Sequence, residues 1–155
     1  MELFSVLDSL NIKYECIEHE PIYTIEEAKN IENMLNGLGC KNLFVKGSNN
    51  YLLVILHEDK MMNFKSFEKE YGFKHLSFCD EEELNNILGL TKGSCTPFGI
   101  INDKNNIVRI YIDNDLVNNR LLFHPNRNNA TISIEYNDLI KFIKYEKHGY
   151  KLFNI

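Results

Sequence analysis

The chain is predicted to fold as an α/β (α+β) domain: a mixed, mostly antiparallel, barrel-like sheet with helices packed outside it. Three observations predict this class. Short runs of β-branched and aromatic residues recur between turns rich in glycine and asparagine, which favours many short strands. Segments with apolar residues at helical spacing fall between those runs. Two of these helical segments open on the residue pair of a capping box.

The elements follow in order. Residues 2–11 set Leu3, Phe4, Leu7 and Leu10 at helical spacing, and "KYECIEH" (13–19) then reads as a strand. In "TIEEAKNIENML", Thr24 stands three residues before Glu27, so that hydroxyl and carboxylate can cap each other's backbone N–H groups. A helix is expected from there to about residue 36, ended by Gly37 and Gly39. "NLFVKG" and "YLLVILHE" are two strands joined by "SNN", which suits a hairpin turn. Phe64, Phe67 and Tyr71 mark a helix near 63–71 that stops at Gly72, and "HLSF" makes a short strand. Asp80 and Glu83 open a helix over 81–88. Beyond the "GSCTP" loop, strands are expected at 98–102, 107–112 and 120–123. "ATISI" (130–134) adds another, and Leu139, Ile140, Phe142 and Ile143 place a helix over 137–146.

At 155 residues and 44% hydrophobic, the chain can close one core, and a single domain over 1–155 is expected. No apolar run nears the ~18 residues of a membrane span. The N-terminal stretch carries Glu2 and Asp8 and no basic segment, so no secretory signal is read and a cytoplasmic location is expected. Cys16, Cys40, Cys79 and Cys95 form no C-x-x-C pair, and the five histidines form no H-x-x-x-H pair. Neither a disulfide frame nor a zinc site is indicated, and no metal or cofactor is expected. A net charge of −5 argues against gripping nucleic acid by its phosphates alone. Any such contact must be local, weak or shared with another protein.

Four polar clusters fall at strand or helix boundaries, where a scaffold can hold them over a cleft. They are "EHEPIYTIEEA" (18–28), "GCKNLFVKG" (39–47), "GSCTPFGIIND" (93–103) and "FHPNRNNATISI" (123–134). Lys41 precedes an apolar strand, so its ammonium can sit at the strand mouth and meet a phosphate or ester oxygen. A solvated surface lysine is the plainer reading. Asn42 can orient a substrate through its amide, or make a turn. Gly93 opens backbone angles closed to other residues, Pro97 fixes its φ, and Ser94, Cys95 and Thr96 between them are short. Such a loop can bring bare amides to a ligand, or it is a tight turn into a strand. His124 suits a proton shuttle, a positioning donor or a satisfied histidine at a strand end. Asn128 can fix its loop by bonding backbone. Cys95 as a nucleophile needs a base or cation, with Lys92 and His124 as candidates. No Gly-rich phosphate loop, G-x-S-x-G elbow or H-E-x-x-H motif is present.

In this order, the four clusters resemble the prolyl-tRNA editing family. This is the YbaK/ProX-like fold, also found as the insertion domain of bacterial-type prolyl-tRNA synthetases. The resemblance runs from "EHEP" and "T-x-E-E-A" through "KNLF", "HLSF" and the "G-x-x-x-P-F" loop ending in "IND". It continues to "HPNRNNATISI" and "YNDLIKFI". The "KNLF" and "H-P-x-x-N-x-A-T" strings are most similar to the free-standing ProX/PrdX-type deacylases, and 155 residues leave no room for a synthetase catalytic domain.

The resemblance implies an aminoacyl-tRNA deacylase, a carboxylic ester hydrolase acting in trans. It would cleave a wrong, small amino acid from the 3′-terminal adenosine of proline tRNA. Alanine is implied by the ProX-like branch, with cysteine as the alternative from YbaK-like members. A pocket built for proline rejects a smaller apolar side chain by only about 1–3 kcal/mol, so a second sieve is needed.

By position, the resemblance implies that Lys41 anchors the terminal nucleotide and its phosphate, and that Asn42 helps hold the substrate. Gly93, Ser94, Cys95, Thr96 and Pro97 would grip the aminoacyl carbonyl and ester through backbone N–H groups. His124 would shape the aminoacyl pocket and Asn128 brace its loop. Lys41, Gly93 and His124 are thus the expected catalytic set. No strong protein base stands out, and the family implies a water activated by the substrate's own ribose or phosphate. The partners implied are the acceptor end of mischarged proline tRNA and prolyl-tRNA synthetase, with no membrane. Two other classes stay open: a non-catalytic module that holds aminoacyl-tRNA or a synthetase, and a thiol-dependent hydrolase using Cys95.

Overall fold

The least polar run in the chain, around "YLLVILH", forms an interior strand of the sheet. In the computed structural model, which describes residues 2–22 and 24–155 apart from the side chain of Ile25, this strand spans Asn50–His57 (β3). Leu52 to Leu56 are fully buried, as a strand covered on both faces requires. Ahead of it come α1 (Leu3–Ser9), β1 (Tyr14–Glu18), α2 (Ile25–Glu32) and β2 (Leu38–Gly47). After it come α3 (Phe64–Tyr71), β4 (Ser77–Phe78), α4 (Glu81–Leu88), a 3₁₀ helix (Pro97–Asn102) and β5 (Val108–Asp113). The chain ends with β6 (Arg120–Phe123), β7 (Ala130–Glu135), α5 (Tyr136–Tyr145) and β8 (Tyr150–Phe153).

The strand order is β1-β7-β6-β2-β3-β5-β8, with β4 beside β2. Pairs β1–β7, β6–β7, β2–β3 and β2–β4 are antiparallel, and β2–β6, β3–β5 and β5–β8 are parallel. The sheet is therefore mixed and mostly antiparallel. It is also open: β1 and β8 end the order, so the expected barrel does not close.

Alternation along β3 divides the core between the two faces. Leu53 and Ile55 join the larger cluster, which α1, α4 and α5 cover with Leu7, Leu88, Leu139 and Phe142 among others. Leu52, Val54 and Leu56 join a smaller cluster with Phe67 of α3, Phe73, Tyr111 and Phe153. Local signals behave as read. Ser48 and Asn49 both take left-handed angles, φ 51° and 62°, which the β2–β3 hairpin turn demands. Asp80 and Glu83 complete a reciprocal capping box on α4.

Three expectations need correction. Residues 98–102 form the 3₁₀ helix, not a strand. Pro97 starts it with a φ already suited to a helix, at a position where its missing N–H costs nothing. The helix opened by Thr24 stops at Glu32 instead of near 36, because the chain must straighten for Leu38 to pair with β6. The C-terminal residues 150–153, with no strand expected, pair with β5. Tyr23, within the 18–28 cluster, lies outside the described residues, as does Met1.

One feature of the sheet positions the site. Strands β2 and β6 pair only through Leu38–Leu121 and Gly39–Leu122. Beyond them β2 continues along β3, and on its other side next meets β4 at Val45 and Lys46. Among the described residues no strand pairs with 40–44 on that side, which leaves a gap in the sheet.

Candidate functional site

The gap opens into a cleft. Its walls are Ile22, Ala28 and Ile31 before and within α2, Gly39, Cys40 and Asn42 of β2, and Leu122, Phe123 and His124 at the end of β6. Glu32, Glu58 and Thr131 complete it. Asn42 and His124 are thus brought together, although 82 residues separate them in the chain.

The His124 ring is fixed by one contact. Its Nδ1 lies 3.0 Å from the carbonyl oxygen of Ala130, and a carbonyl only accepts. Nδ1 therefore carries the proton, and Nε2 is left with a lone pair and no partner among the described residues. Burial pushes the His124 pKa below its ordinary value, with a smaller push from His19, so the ring is neutral near pH 7. The two rings are 6.4 Å apart. His19 Nδ1 likewise meets the Glu20 carbonyl at 2.8 Å, so its Nε2 accepts from the Thr131 hydroxyl, also at 2.8 Å. Asn42 Oδ1 is buried and has no hydrogen-bond partner among the described residues.

Sequence reasoning missed a charged group at the same cleft. A β-carbon at position 39 would overlap Glu58 Oε2 and Glu32 Oε1, so glycine gives both carboxylates room to close over the strand. Lys29 bridges their other oxygens, at 2.7 Å from Glu58 Oε1 and 3.4 Å from Glu32 Oε2. Burial, followed by the hydrogen bond and charge of Glu58, pushes Glu32 up to about 7 against the pull of Lys29. Burial would raise Glu58 too, but hydrogen bonds from Glu32 and Lys29 outweigh it and hold Glu58 low. The pair therefore shares a proton, held mainly on Glu32. The available signal was Gly39, a strand glycine whose carbonyl accepts from Glu58 N at 3.1 Å.

The other expected residues lie elsewhere. Alternation along β2 turns Lys41 to the opposite face, where it lines a separate recess with Leu43, Met61, Met62, Phe64 and Phe78. Its Nζ donates to the Lys60 carbonyl at 2.6 Å. None of residues 93–97 lines the cleft. Gly93 takes φ +87°, and a β-carbon there would meet nothing, so its glycine serves the turn and not a close approach. Ser94 is consumed by that turn: its hydroxyl donates to the Thr91 carbonyl at 2.8 Å and accepts from Thr91 N at 3.2 Å. Thr96 and Pro97 are buried, and Thr96 Oγ1 has no partner among the described residues. Burial pushes the Cys95 thiol up to about 12, which removes the thiolate a nucleophile needs. Asn128 makes no side-chain hydrogen bond among the described residues. Its neighbour Asn126 holds the loop instead, through Nδ2 to the Phe98 carbonyl at 3.4 Å. That contact ties the 124–128 loop to the start of the 3₁₀ helix.

Among the described residues no cluster of three or more side chains could hold a metal ion, and no helix is long and apolar enough to cross a membrane. Comparison with known proteins gives the site its context. The aminoacyl-tRNA editing domain family matches residues 19–142. The prolyl-tRNA editing protein ProX of Acetoanaerobium sticklandii is 39% identical over 149 residues, covering 94% of this chain and 90% of that protein. The mouse prolyl-tRNA synthetase associated domain-containing protein 1 is 31% identical, covering 95% and 90%. A crystal structure of a proposed trans-editing enzyme for prolyl tRNA synthetase shares the fold, with a TM-score of 0.71 at 16% identity and coverage of 94% and 90%. With a match over most of its length and a near-complete relative at this identity, the chain belongs to the aminoacyl-tRNA editing domain family and is an editing hydrolase.

Proposed function

We propose that the chain acts in trans on mischarged proline tRNA and hydrolyses its aminoacyl ester, with alanine as the amino acid removed. One observation carries this reading: Asn42 and His124 line the same cleft, where Asn42 Oδ1 is buried with no partner among the described residues. A buried polar atom without a partner costs stability, and a ligand that supplies the missing partner recovers it. The names of the relatives point to proline tRNA as the substrate.

In this reading the aminoacyl group enters between β2 and β6. Ile31, Phe123 and the Cys40 side chain form an apolar wall beside its side chain. A packed wall resists a proline ring more strongly than it rewards a methyl group, so the cleft works as a size sieve. His124 Nε2 accepts from the attacking water or the terminal ribose hydroxyl and holds it against the ester. Lys41, on the other face of β2, is assigned to the nucleotide's phosphate and not to the chemistry. The 93–97 loop is assigned a supporting role, through the Phe98–Asn126 contact with the histidine loop.

The test is deacylation of Ala-, Cys- and Pro-charged proline tRNA side by side at catalytic protein concentration. Alanine should be released fastest and proline spared. A protein that protects all three esters would be a binding module, and preferential release of cysteine would move the specificity to that amino acid. Repeating the assay with prolyl-tRNA synthetase present tests that enzyme as a partner through any gain in rate.

A further inference from the structure

Two of the three most exposed large apolar side chains among the described residues stand together, around the recess that Lys41 lines. Met61 is 85% exposed there and Phe78 60%. The recess holds about 350 Å³, and its floor is firm, because Leu43, Met62 and Phe64 pack against the smaller core cluster. Phe64 also holds the Phe78 ring, with centroids 5.3 Å apart and planes tilted by 55°. An aromatic ring fixed by core contacts yet left open to water marks a surface that something else covers.

Charge and position identify the cover. Among the described residues Lys41 Nζ makes one hydrogen bond, to the Lys60 carbonyl, and no ion pair. The Glu32–Glu58 pair over Gly39, two residues along the strand, shares a proton and is bridged by Lys29, so it does not neutralise Lys41. The recess and the cleft also share one edge. Asn42 lines the cleft, Lys41 and Leu43 line the recess, and no strand pairs with 40–44 between the ladders to β6 and β4. A chain leaving the cleft crosses a single strand, about 5 Å of backbone, to reach the recess. A flat apolar ring tied to a phosphate satisfies Phe78 and Lys41 together, and a nucleotide of single-stranded RNA is that group. A protein face could cover Phe78, but nothing in it fixes an anion to the apolar contact at one-nucleotide spacing.

We propose that Phe78, backed by Phe64 and flanked by Met61, is a stacking platform for the base of the nucleotide that precedes the terminal adenosine, with Lys41 on the phosphate joining the two. The inference rests on the editing reading above and adds to it a contact with RNA away from the reacting ester. Stacking accepts any base, so the platform contributes affinity without reading sequence. It lets a chain of net charge −5 hold RNA through one apolar face and one ammonium, without a basic surface.

The test uses an unacylated RNA minihelix that carries the acceptor stem and unpaired 3′ end of proline tRNA, and the same RNA with an abasic ribose at the penultimate position. Binding to the intact chain is measured by fluorescence anisotropy, with thermal unfolding as the check on folding. The abasic RNA should bind about tenfold more weakly than the intact RNA. Phe78→Ala should lose about the same factor on the intact RNA and nothing further on the abasic one, and Phe78→Trp should restore the affinity. Equal binding of the two RNAs, losses that multiply, or no binding of either RNA at submillimolar protein would each overturn the proposal. It would also fall if Phe78→Ala kept its RNA affinity and instead lost a contact with prolyl-tRNA synthetase or with a second copy of the chain, since the patch would then be a protein interface. Stacking that behaves as expected in a chain that hydrolyses no charged proline tRNA would leave the platform standing and remove the proline reading. Hydrolysis of that tRNA with no effect of Phe78→Ala on RNA affinity would do the reverse.

Discussion

Two histidines sit at polar junctions of this fold, one in a finished network and one in an unfinished one. His148 is buried with both ring nitrogens engaged, Nδ1 at 2.8 Å from the Glu146 carbonyl and Nε2 at 2.8 Å from Asp103 Oδ2. Asp103 is buried too, and also accepts from Ile107 N at 3.2 Å and Val108 N at 2.9 Å, which fixes the start of β5. Among the described residues, His124 has one nitrogen engaged and one without a partner, in the cleft that Asn42, with its unpaired amide oxygen, also lines. The same residue types thus do opposite things. A closed network holds the chain in place, while an open one keeps binding capacity in reserve.

The largest effect expected from breaking this contrast is on stability. Asp103→Ala strands two backbone N–H groups and a buried imidazole, and should cost about 3–5 kcal/mol in urea unfolding. The corresponding loss at the cleft should appear in rate instead. His124→Ala should lower deacylation by about 100-fold while costing only about 1 kcal/mol of stability, the value of its single bond to Ala130. Asn42→Ala removes no side-chain hydrogen bond seen among the described residues, so unfolding should be unchanged while kcat/KM falls about tenfold. If Asn42→Ala destabilised the fold and Asp103→Ala did not, the contrast would be wrong.

Acid titration sharpens the same point. Burial holds the folded His124 pKa below its ordinary value of 6.5, so the unfolded chain takes up its proton first as pH falls. Any stability owed to this ring is therefore present above pH 6.5 and lost as pH drops through the lowered value. The acid limb of kcat/KM controlled by His124 should likewise lie below pH 6.5. The smallest effect belongs to Cys95→Ser, which should keep the rate within about twofold and leave it insensitive to alkylating agents.

Much of this architecture was legible where the signal was local. The Asp80–Glu83 box, the Ser48–Asn49 turn and the apolar alternation of β3 each depend on residues a few positions apart. The 3₁₀ helix was not legible, because "FGII" is too short to show a period and reads equally as strand. The strand β8 depends on β5 for its pairing, which nothing within "YKLF" reveals. Asn42 and His124, which line one cleft, both stand within the polar clusters singled out in the sequence. Lys41 was expected at the site from its position before an apolar strand and from the family resemblance, and strand alternation turns its side chain to the face opposite Asn42. Glu32 and Glu58 were invisible for the converse reason: a helix end and a strand end meet only after folding.

The two-residue contact between β2 and β6 has a mechanical consequence. It divides the sheet into two rafts, β1-β7-β6 and β2-β3-β5-β8, fastened by the Leu38–Leu121 and Gly39–Leu122 pairs. Stiffness falls where the ladder is shortest, so flexing concentrates at this seam and not within the long β2–β3 hairpin. Asn42 rides on one raft and His124 on the other. A small change in the angle between the rafts widens or narrows the distance between those two side chains, and must be absorbed by the larger core cluster, to which both rafts contribute. Backbone amides of Gly39 and Leu122 should accordingly exchange with solvent deuterium well before those of Leu53 and Ile55, with the width of the cleft following the seam.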